Sequence, residues 1–325
     1  KQSLKSFISN MYVKITRSIS LDTIKEIRDN VEKNQLKIDK NQFGYYLAGL
    51  LEGDGHLSLP FKGKTTLNSP IAHTLTTCAR RILNPRIVFT SHINNIELFV
   101  YIQTMLKQKG RFQKVNENCI RYIIGDIEGI KLFIDIVHGK LRTSKNESFN
   151  MLINFINLKY NLKIPYSELD KSDYSTNSWL TGFTEADGHF GVKIVESKPK
   201  SDTRKRSVSN SISLKFRLDQ RYEESNLKLM ENLSKFLSCK LAVYNSNNYK
   251  VYSLYVSSIE KLEFIVEYFN KYLLLGIKGK DFKDWEIIYN MILCKQHLTE
   301  QGRLKIKLIQ SNLNSKRKVK LNYKI

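Results

Sequence analysis

Two aspartates, Asp54 and Asp187, have the residue type and the context that metal-dependent chemistry requires. Each is followed by glycine and closes a similar segment, LAGLLEGDGH at 47–56 and LTGFTEADGH at 180–189. Glycine permits the left-handed or otherwise strained backbone that stops a helix, and the helix dipole disfavours a carboxylate there unless a cation is bound. Carboxylate and carbonyl oxygens suit Mg²⁺ or Mn²⁺, ions that bridge phosphate oxygens and activate water. The alternative, that both aspartates only terminate helices, is weaker because the segment occurs twice in a strongly basic chain.

A second repeated segment lies at the same offset as the first. The aspartates are 133 residues apart (187 − 54), and LRTSKNESF at 141–149 falls on LLGIKGKDF at 274–282 with that offset. Each copy therefore places a lysine, Lys145 or Lys278, 91 residues after its aspartate (145 − 54 and 278 − 187). A lysine near a scissile phosphate can stabilise developing negative charge or tune the attacking water. The alternative interpretation is a solvated position at the start of a helix.

The earlier acidic residues of the two segments, Glu52 and Glu185, lie two positions before the aspartates. Residues two apart on a helix do not share a face, so these side chains point away from the aspartates. Two interpretations are open: hydrogen bonds that support the helix ends, or simple exposure to solvent.

The helices that carry the aspartates are predicted to pack against each other. Gly49 and Gly53 in the first segment, and Gly182 and Ala186 in the second, place small residues four apart on one helix face. Such a face lets two helix backbones approach closely. Contact between these faces would bring the two aspartate-bearing helix ends together.

Between the repeated segments, both halves alternate strands and helices in an order that predicts an α+β fold rather than a parallel βαβ array. In the second half, HFGVKIVES and SISLKFRLD alternate apolar with polar side chains, as strands do when one face is buried. Thr299 is a candidate cap for a C-terminal helix. The further predicted strands are 56–61, 86–92, 111–115, 119–124, 239–245 and 249–257, and the predicted helices of the second half are 223–237, 259–273 and 281–293.

The chain carries a large positive charge, with 53 lysines and arginines against 31 acidic residues and a formal net charge of +22. A folded protein gains nothing from that self-repulsion unless a polyanion offsets it, so nucleic acid is the predicted partner, ahead of anionic lipid or a solubility surplus. The scattered cysteines and histidines indicate neither a zinc site nor a disulfide framework. No apolar run approaches the roughly 20 residues that cross a bilayer, so a soluble chain with no membrane partner is expected.

The segments LAGLLEGDG and LTGFTEADG resemble the two signature motifs of a single-chain LAGLIDADG homing endonuclease of the intron-encoded type, over residues 41–315. The resemblance implies two pseudo-symmetric αββαββα repeats with the motif helices at the interface and two saddle-shaped antiparallel sheets over DNA. It also implies a monomer with internal pseudo-dimer symmetry that cuts a long double-stranded DNA target. Cleavage would be Mg²⁺-dependent phosphodiester hydrolysis that leaves short 3′ overhangs, with Mn²⁺ or Ca²⁺ able to substitute for binding.

The same resemblance assigns roles to the repeated residues. The implied metal ligands are the carboxylates of Asp54 and Asp187 with the backbone carbonyls of Gly53 and Ala186. The implied catalytic residues are both aspartates together with Lys145 and Lys278.

Polar side chains on the strand faces opposite the core are the candidate DNA contacts, because base edges are read from the major groove. A register error of one residue would exchange the two faces. The basic loop at 198–206 is predicted to contact phosphate or to be flexible. The candidate DNA-binding residues are Lys193, Lys215, Arg217, Arg86, Arg111, Arg121, Lys240 and Tyr244.

The predicted organisation places a polar linker between two repeats. Its parts are an N-terminal extension (1–40), the first repeat (41–159), the linker (160–177), the second repeat (178–298) and a C-terminal helix with a basic tail (299–325).

Two other functions compete with the endonuclease. An RNA maturase that helps its host intron to splice, alone or together with nuclease activity, would use the same fold with intron RNA as partner. A non-catalytic DNA-binding regulator would not need two carboxylates at one helix interface. The presence of both aspartates favours the nuclease, and the resemblance implies a mitochondrial location.

Overall fold

The computed structural model describes residues 19–33, 38–59, 84–200, 207, 209–246 and 249–317. Four sequence predictions fall partly outside these ranges: most of the N-terminal extension at 1–40, the end of the strand predicted at 56–61, most of the basic loop at 198–206, and the basic tail after Arg317.

Within these ranges the chain forms two copies of one unit in the order αββαββα; one further helix follows the first copy, and two follow the second. The first copy and its flanking helices comprise α1 (Leu21–Lys33), α2 (Lys40–Asp54), β1 (Gly55–Ser58), β2 (Arg86–His92), α3 (Ile96–Met105), β3 (Arg111–Asn116), β4 (Cys119–Ile124), α4 (Ile127–Val137) and α5 (Lys145–Tyr160). The second copy and its following helices comprise α6 (Trp179–Asp187), β5 (Gly188–Val195), β6 (Ser211–Arg221), α7 (Glu224–Phe236), β7 (Leu241–Ser246), β8 (Tyr249–Val256), α8 (Ile259–Lys271), α9 (Ile277–Leu293) and α10 (Glu300–Gln310).

Each copy contains one four-stranded antiparallel sheet, with strand orders β1-β2-β4-β3 and β5-β6-β8-β7. The α+β class and the repeat topology predicted from the sequence are confirmed. Apolar and polar side chains alternate along the strands, so each sheet has one apolar face. On β6, Leu214, Phe216 and Leu218 are buried, and the polar residues between them lie on the opposite face. One face of each sheet therefore packs on helices, and the other is open.

An aromatic cluster lies in the core of each copy, where each ring buries a large apolar area. In the first copy Phe89 contacts the rings of Phe99, Tyr122 and Phe133. In the second copy the central ring is Phe190, on the strand that directly follows Asp187. It contacts Phe216, Phe269, Phe282 and Trp285.

The glycines that follow the aspartates end α2 and α6, but not for the expected conformational reason. Gly55 and Gly188 have ordinary extended backbones, with φ of −83° and −75°, so the left-handed or otherwise strained backbone expected there is wrong. Lack of space explains both residues. A Cβ at Gly55 would lie 2.5 Å from the Leu51 side chain, and one at Gly188 would lie 2.3 Å from Thr184.

Two helix starts bear on the predictions. Thr299 caps α10 as expected, because its hydroxyl accepts from the backbone N–H of Gly302 at 3.0 Å. The helix predicted at 281–293 begins four residues earlier, at Ile277, which places Lys278 in its first turn. Among the described residues, every helix is too short or too polar to span a bilayer.

Candidate active site at the helix interface

The α2 and α6 helices contact each other backbone to backbone. A Cβ added at Gly182 would lie 1.8 Å from the carbonyl oxygen of Tyr46, and one at Gly49 would lie 2.0 Å from that of Trp179. No side chain fits in those gaps, so only glycine permits this approach. The structure therefore has the close packing that the small-residue spacing predicts.

This packing brings Asp54 and Asp187 to the same end of the interface. A Cβ at Gly53 would lie 2.3 Å from the Ala186 Cβ and 3.3 Å from the Asp187 Oδ2. Burial, followed by the negative charge of Asp187, raises the pKa of Asp54 to about 6, although solvent still reaches the side chain. Burial also raises the pKa of Asp187. Two partly desolvated carboxylates that repel each other form a site that a cation would stabilise.

Lys145 lies against the end of the first motif helix. Its Nζ donates to the backbone carbonyls of Leu51 at 2.9 Å, Glu52 at 2.8 Å and Gly55 at 2.8 Å, and lies 3.4 Å from the carbonyl of Gly53. Burial lowers the pKa of Lys145, and the neighbouring carboxylates oppose that change.

Lys278 has the equivalent position in the second repeat. Its Nζ donates to the carbonyls of Gly188 at 2.6 Å and Ala186 at 3.2 Å. Burial lowers the pKa of Lys278, and the negative charges of Glu185 and the two aspartates offset only part of this shift. Both lysines thus lie beside the negative ends of the motif helices, near the aspartates. The alternative interpretation, a solvated position at a helix start, is wrong for both.

The earlier glutamates join each motif helix to the loop before its lysine. Glu52 is 6% exposed, and its carboxylate accepts from the backbone N–H groups of Arg142 at 2.8 Å and Thr143 at 2.5 Å. Glu185 is 5% exposed and accepts from the N–H of Leu275 at 3.1 Å. Supporting hydrogen bonds are therefore the right interpretation, and simple solvent exposure is wrong.

Each glutamate also accepts a hydrogen bond from the other repeat. The indole Nε1 of Trp179 donates to Glu52 at 2.6 Å, and the Tyr46 hydroxyl donates to Glu185 at 3.2 Å. Tyr46 and Trp179 occupy equivalent positions (179 − 46 = 133). Two reciprocal buried hydrogen bonds thus link the motif helix of each repeat to that of the other.

Gln220 belongs to the site, although sequence reasoning did not identify it. Its Nε2 donates to the Asp187 Oδ2 at 2.7 Å, and this bond opposes the upward shift of the Asp187 pKa. A signal was present in the strand pattern: Gln220 continues the apolar series of Leu214, Phe216 and Leu218 along β6. A polar residue at an apolar strand position needs a partner, and here the partner is Asp187.

A cavity of about 540 Å³ opens beside the helix ends. Its lining includes Gly53, Lys145, Asp187 and Gln220. Asp187 and Lys145 therefore face a space that an external group can enter.

The donor set fits a divalent cation that keeps open coordination positions. No group of three or more His, Cys, Asp or Glu side chains in the described ranges could enclose a metal ion. The available protein oxygens are the carboxylates of Asp54 and Asp187 and the backbone carbonyls of Gly53 and Ala186. The Gly53 carbonyl lies 3.4 Å from the Lys145 Nζ, and the Ala186 carbonyl lies 3.2 Å from the Lys278 Nζ. Such a set suits Mg²⁺, which commonly retains water and takes phosphate oxygens as further ligands.

The strand residues proposed to contact DNA share the open face of their sheets. Residues directly opposite in an antiparallel pair lie on one face. In the first sheet this face carries Arg86, Arg111 and Arg121, with Thr90 and Gln113, which sequence reasoning missed. In the second sheet it carries Lys193, Lys215, Arg217 and Tyr244, with His189 and Tyr255, which were also missed.

Two of these residues have particular surroundings. The Arg217 Nε donates to the Asp219 carboxylate at 2.8 Å, and its guanidinium lies 5.9 Å from the Tyr244 ring centre. Lys240 is exposed just before β7 rather than within a strand.

Known proteins share both the sequence and the fold. The LAGLIDADG endonuclease family matches residues 47–156 and 180–289. The chain is 30% identical over 294 residues to the intron-encoded DNA endonuclease aI3 of Saccharomyces cerevisiae, covering 82% of this chain and 68% of that protein. It is 27% identical over 290 residues to an uncharacterized cox1 intron-2 37.2 kDa protein of Schizosaccharomyces pombe, covering 88% and 77%.

Solved structures show the same architecture. The LAGLIDADG homing endonuclease I-GzeII, in complex with its DNA target, matches with a TM-score of 0.64 at 20% identity and covers 85% of this chain and 99% of that chain. I-LtrWI bound to target DNA matches with a TM-score of 0.64 at 20% identity, covering 86% and 100%. At this identity the structural likeness establishes the fold. Because the family matches both repeats, and each match begins inside a helix that ends in a candidate metal-binding aspartate, this chain belongs to the LAGLIDADG endonuclease family.

Proposed function

We propose that this protein is a site-specific homing endonuclease that makes a double-strand break in a long DNA target by metal-dependent phosphodiester hydrolysis, leaving short 3′ overhangs. The observation that carries the proposal is the convergence of Asp54 and Asp187 at the end of the α2–α6 interface. Stability alone gives no reason to place two repelling carboxylates there, whereas two bound strands each require a reactive centre.

The residues of the site have distinct roles in this proposal. Asp54 and Asp187, with the carbonyls of Gly53 and Ala186, would hold Mg²⁺, which when bound supplies Lewis acidity to the scissile phosphate. Lys145 and Lys278 lie close enough to that end of the helices to stabilise the negative charge that develops on a phosphate.

The open sheet faces would bind the duplex. The lysine and arginine side chains of these faces would neutralise phosphates and reach base edges. Both sheets belong to one chain, so one molecule would present two faces to one DNA target. The proposed DNA contacts are Arg86, Arg111, Arg121, Lys193, Lys215, Arg217, Lys240 and Tyr244.

A maturase or a non-catalytic regulator is not favoured, since neither role explains two aspartates and two lysines retained around one pair of helix ends. We also propose a mitochondrial location. The relatives include the cox1 intron protein of Schizosaccharomyces pombe and an uncharacterized mitochondrial protein, RF1, of Saccharomyces cerevisiae.

In vitro selection of cleaved molecules from a randomised duplex library tests this function and identifies the target in one experiment. The wild-type protein with Mg²⁺ should enrich one long sequence family cut on both strands. Parallel selection with Asp187→Asn should enrich no double-strand product. Failure of the wild-type protein to enrich any cut sequence, or equal enrichment by the variant, would contradict the proposal.

A further inference from the structure

The two lysine-bearing helices, α5 and α9, begin in different surroundings. The first turn of α9 lies between the two repeats. A Cβ at Gly276 would lie 2.4 Å from the Glu185 Oε1 and 2.9 Å from the Asn95 Oδ1. Glu185 belongs to the same repeat as α9, whereas Asn95 lies in the first repeat, just before α3. The backbone that leads to Lys278 is therefore held from both repeats.

Both ends of the Asn95 amide form hydrogen bonds: the oxygen bonds the second repeat, and the nitrogen anchors the side chain within its own repeat. Its Oδ1 accepts from the backbone N–H of Ile277 at 3.0 Å, and its Nδ2 donates to the Ser91 hydroxyl at 2.8 Å. Asn95 is only 9% exposed, so neither bond competes freely with water. The Ile277 N–H is one of the first-turn donors that have no partner within their own helix. Asn95 thus serves as a helix cap from another repeat, 182 residues away in sequence.

The start of α5 has no such support. Its preceding loop is bound by Glu52 of the same repeat. The 540 Å³ cavity separates Thr143 and Ser144 from the facing residues of the second repeat, Gln220 and Asn226 among them. In the described part of the chain, no side chain of the second repeat forms a hydrogen bond with the start of α5. The helix start that carries Lys278 is therefore bound by side chains of both repeats, whereas the one that carries Lys145 is bound by a side chain of its own repeat.

We propose that Asn95 is a positioning residue through which the first repeat holds Lys278 in the second repeat's half of the catalytic centre. Ile277 directly precedes Lys278, and the Lys278 Nζ donates to Gly188 at 2.6 Å. Fixing the first turn of α9 fixes the origin of that side chain. The inference rests on the proposed function for the role of Lys278, and it adds that one repeat controls the site of the other.

Strand-resolved cleavage tests the inference. A duplex of the selected target, labelled differently on its two strands, reports the cutting rate of each strand. Lys145→Met and Lys278→Met identify the strand that depends on each lysine. Asn95→Ala should slow the Lys278-dependent strand by about 10- to 100-fold, since small misplacements at a catalytic centre cost that much, and should leave the other strand unchanged. Asn95→Asp, which retains the acceptor oxygen, should restore most of the rate.

A second readout does not depend on cleavage. Amide hydrogen exchange at Ile277 in the metal-free protein should become faster in Asn95→Ala, whereas exchange at the start of α5 should not change. Glu97→Gln is the matched control, because Glu97 lies two residues away and forms only an exposed ion pair with Lys280 at 3.8 Å. It should alter neither readout. If Asn95→Ala does not fold, Asn95→Ser tests the same point, because its shorter side chain cannot span both partners.

The outcomes separate this inference from the function on which it rests. Suppose that each lysine variant slows one strand only. If Asn95→Ala then slows both strands equally, or slows neither, Asn95 does not position Lys278. Lysine variants that slow both strands alike would overturn the assignment of one lysine to each strand, on which the inference depends, whereas the absence of any cutting by the wild-type protein would contradict the proposed function. Unchanged exchange at Ile277 would show that Asn95 does not hold α9.

Discussion

At the scale of single residues, the two aspartates are inequivalent despite their matching positions in the repeat. Asp187 receives a hydrogen bond from Gln220 at 2.7 Å, which stabilises its anion. The pairings Gly55↔Phe89 and Gly188↔Leu218 make Ser91 the equivalent of Gln220 in the first repeat. The Ser91 hydroxyl accepts instead from Asn95. Among the described residues, Asp54 receives no such hydrogen bond to offset burial and the charge of Asp187.

This inequivalence predicts a pH-dependent gain in stability for Asp54→Asn. The folded pKa of Asp54, about 6, is above its ordinary value of 3.8, so the folded state retains the proton more strongly. Ionisation therefore lowers the free energy of unfolding as pH rises from about 4 to about 6. Because solvent screens this open position, we expect a gain of about 1 kcal/mol at pH 7.5, or about 2–4 °C in Tm.

Thermal unfolding of the metal-free protein measures this effect. Most of the gain should be lost at pH 4, where Asp54 is protonated in the folded state and only about half ionised in the unfolded chain. The exposed Asp135, which forms only a surface ion pair with Lys40 at 3.5 Å, supplies the control variant Asp135→Asn. A gain that is the same at both pH values, or a loss of stability at pH 7.5, would show that Asp54 is not strained in the folded protein.

At the scale of elements, the α2–α6 contact depends on glycine. Gly182→Ala would place a Cβ 1.8 Å from the Tyr46 carbonyl oxygen, so the helices must separate. We expect the free energy of unfolding to fall by at least about 2 kcal/mol, because both helix backbones are buried and cannot yield locally. Gly125→Ala is the matched control, since its Cβ would meet only Arg86, at 3.5 Å. Equal effects of the two variants in urea unfolding would refute close packing as the reason for Gly182.

The reciprocal hydrogen bonds across that contact make a separate prediction. Trp179→Phe removes the donor at 2.6 Å from Glu52 and leaves a buried carboxylate with one partner fewer. Such a loss should cost about 1–3 kcal/mol, beyond the small change in ring size. Urea unfolding measures the cost, and Glu52→Gln in the Trp179→Phe background should recover part of it, because a neutral amide is cheaper to bury. No recovery would mean that ring packing, rather than the hydrogen bond, explains the loss.

Sequence patterns predicted most elements because the alternation along each strand is local. They failed at α9, where Gly276 and Gly279 favour a later helix start than Ile277. The first turn forms there because Asn95 accepts from the N–H of Ile277, and Glu185 accepts from the N–H of Leu275 in the preceding loop. Both partners lie far away in sequence. The same limit explains Gln220: its position on β6 marks it as unusual, but only the fold shows that its partner is Asp187.

At the scale of the whole molecule, the formal charge of +22 and the two open basic sheet faces predict DNA binding that weakens steeply with salt. Each neutralised phosphate contributes about −0.9 to the slope of log K against log salt. Arg121→Ala should reduce the magnitude of that slope by up to about one such unit. Fluorescence anisotropy with the selected target at several salt concentrations measures it.

The matched control for the salt experiment is Lys283→Ala on α9, where Lys283 pairs with Glu286 at 2.9 Å, away from the sheet faces. Its slope should equal that of the wild-type protein. Equal slopes for all three proteins would show that the face carrying Arg121 does not contact phosphate.

The global architecture was the most predictable level, since a repeated segment at a constant offset of 133 residues (187 − 54) fixes two similar units in one chain. Contacts between the units were the least predictable. The Asn95–Ile277 bond spans 182 residues and has no counterpart among the described residues at the start of α5, so no internal repeat could indicate it. Differences between the two halves are visible only after both have been folded together.

Under the proposed function, Asp54 and Asp187 meet at one helix interface and supply a metal-dependent reactive centre for each DNA strand. Cleavage of a supercoiled plasmid carrying the selected target tests it most directly, with the wild-type protein, Asp54→Asn, Asp187→Asn and the double variant, each with Mg²⁺ and with EDTA. The wild-type protein with Mg²⁺ should linearise the plasmid, each single variant should at most nick it while binding with unchanged affinity, and EDTA should stop all cutting. Linear product from the double variant would show that cutting does not need the two aspartates, and linear product from the wild-type protein in EDTA would show that it does not need a metal ion.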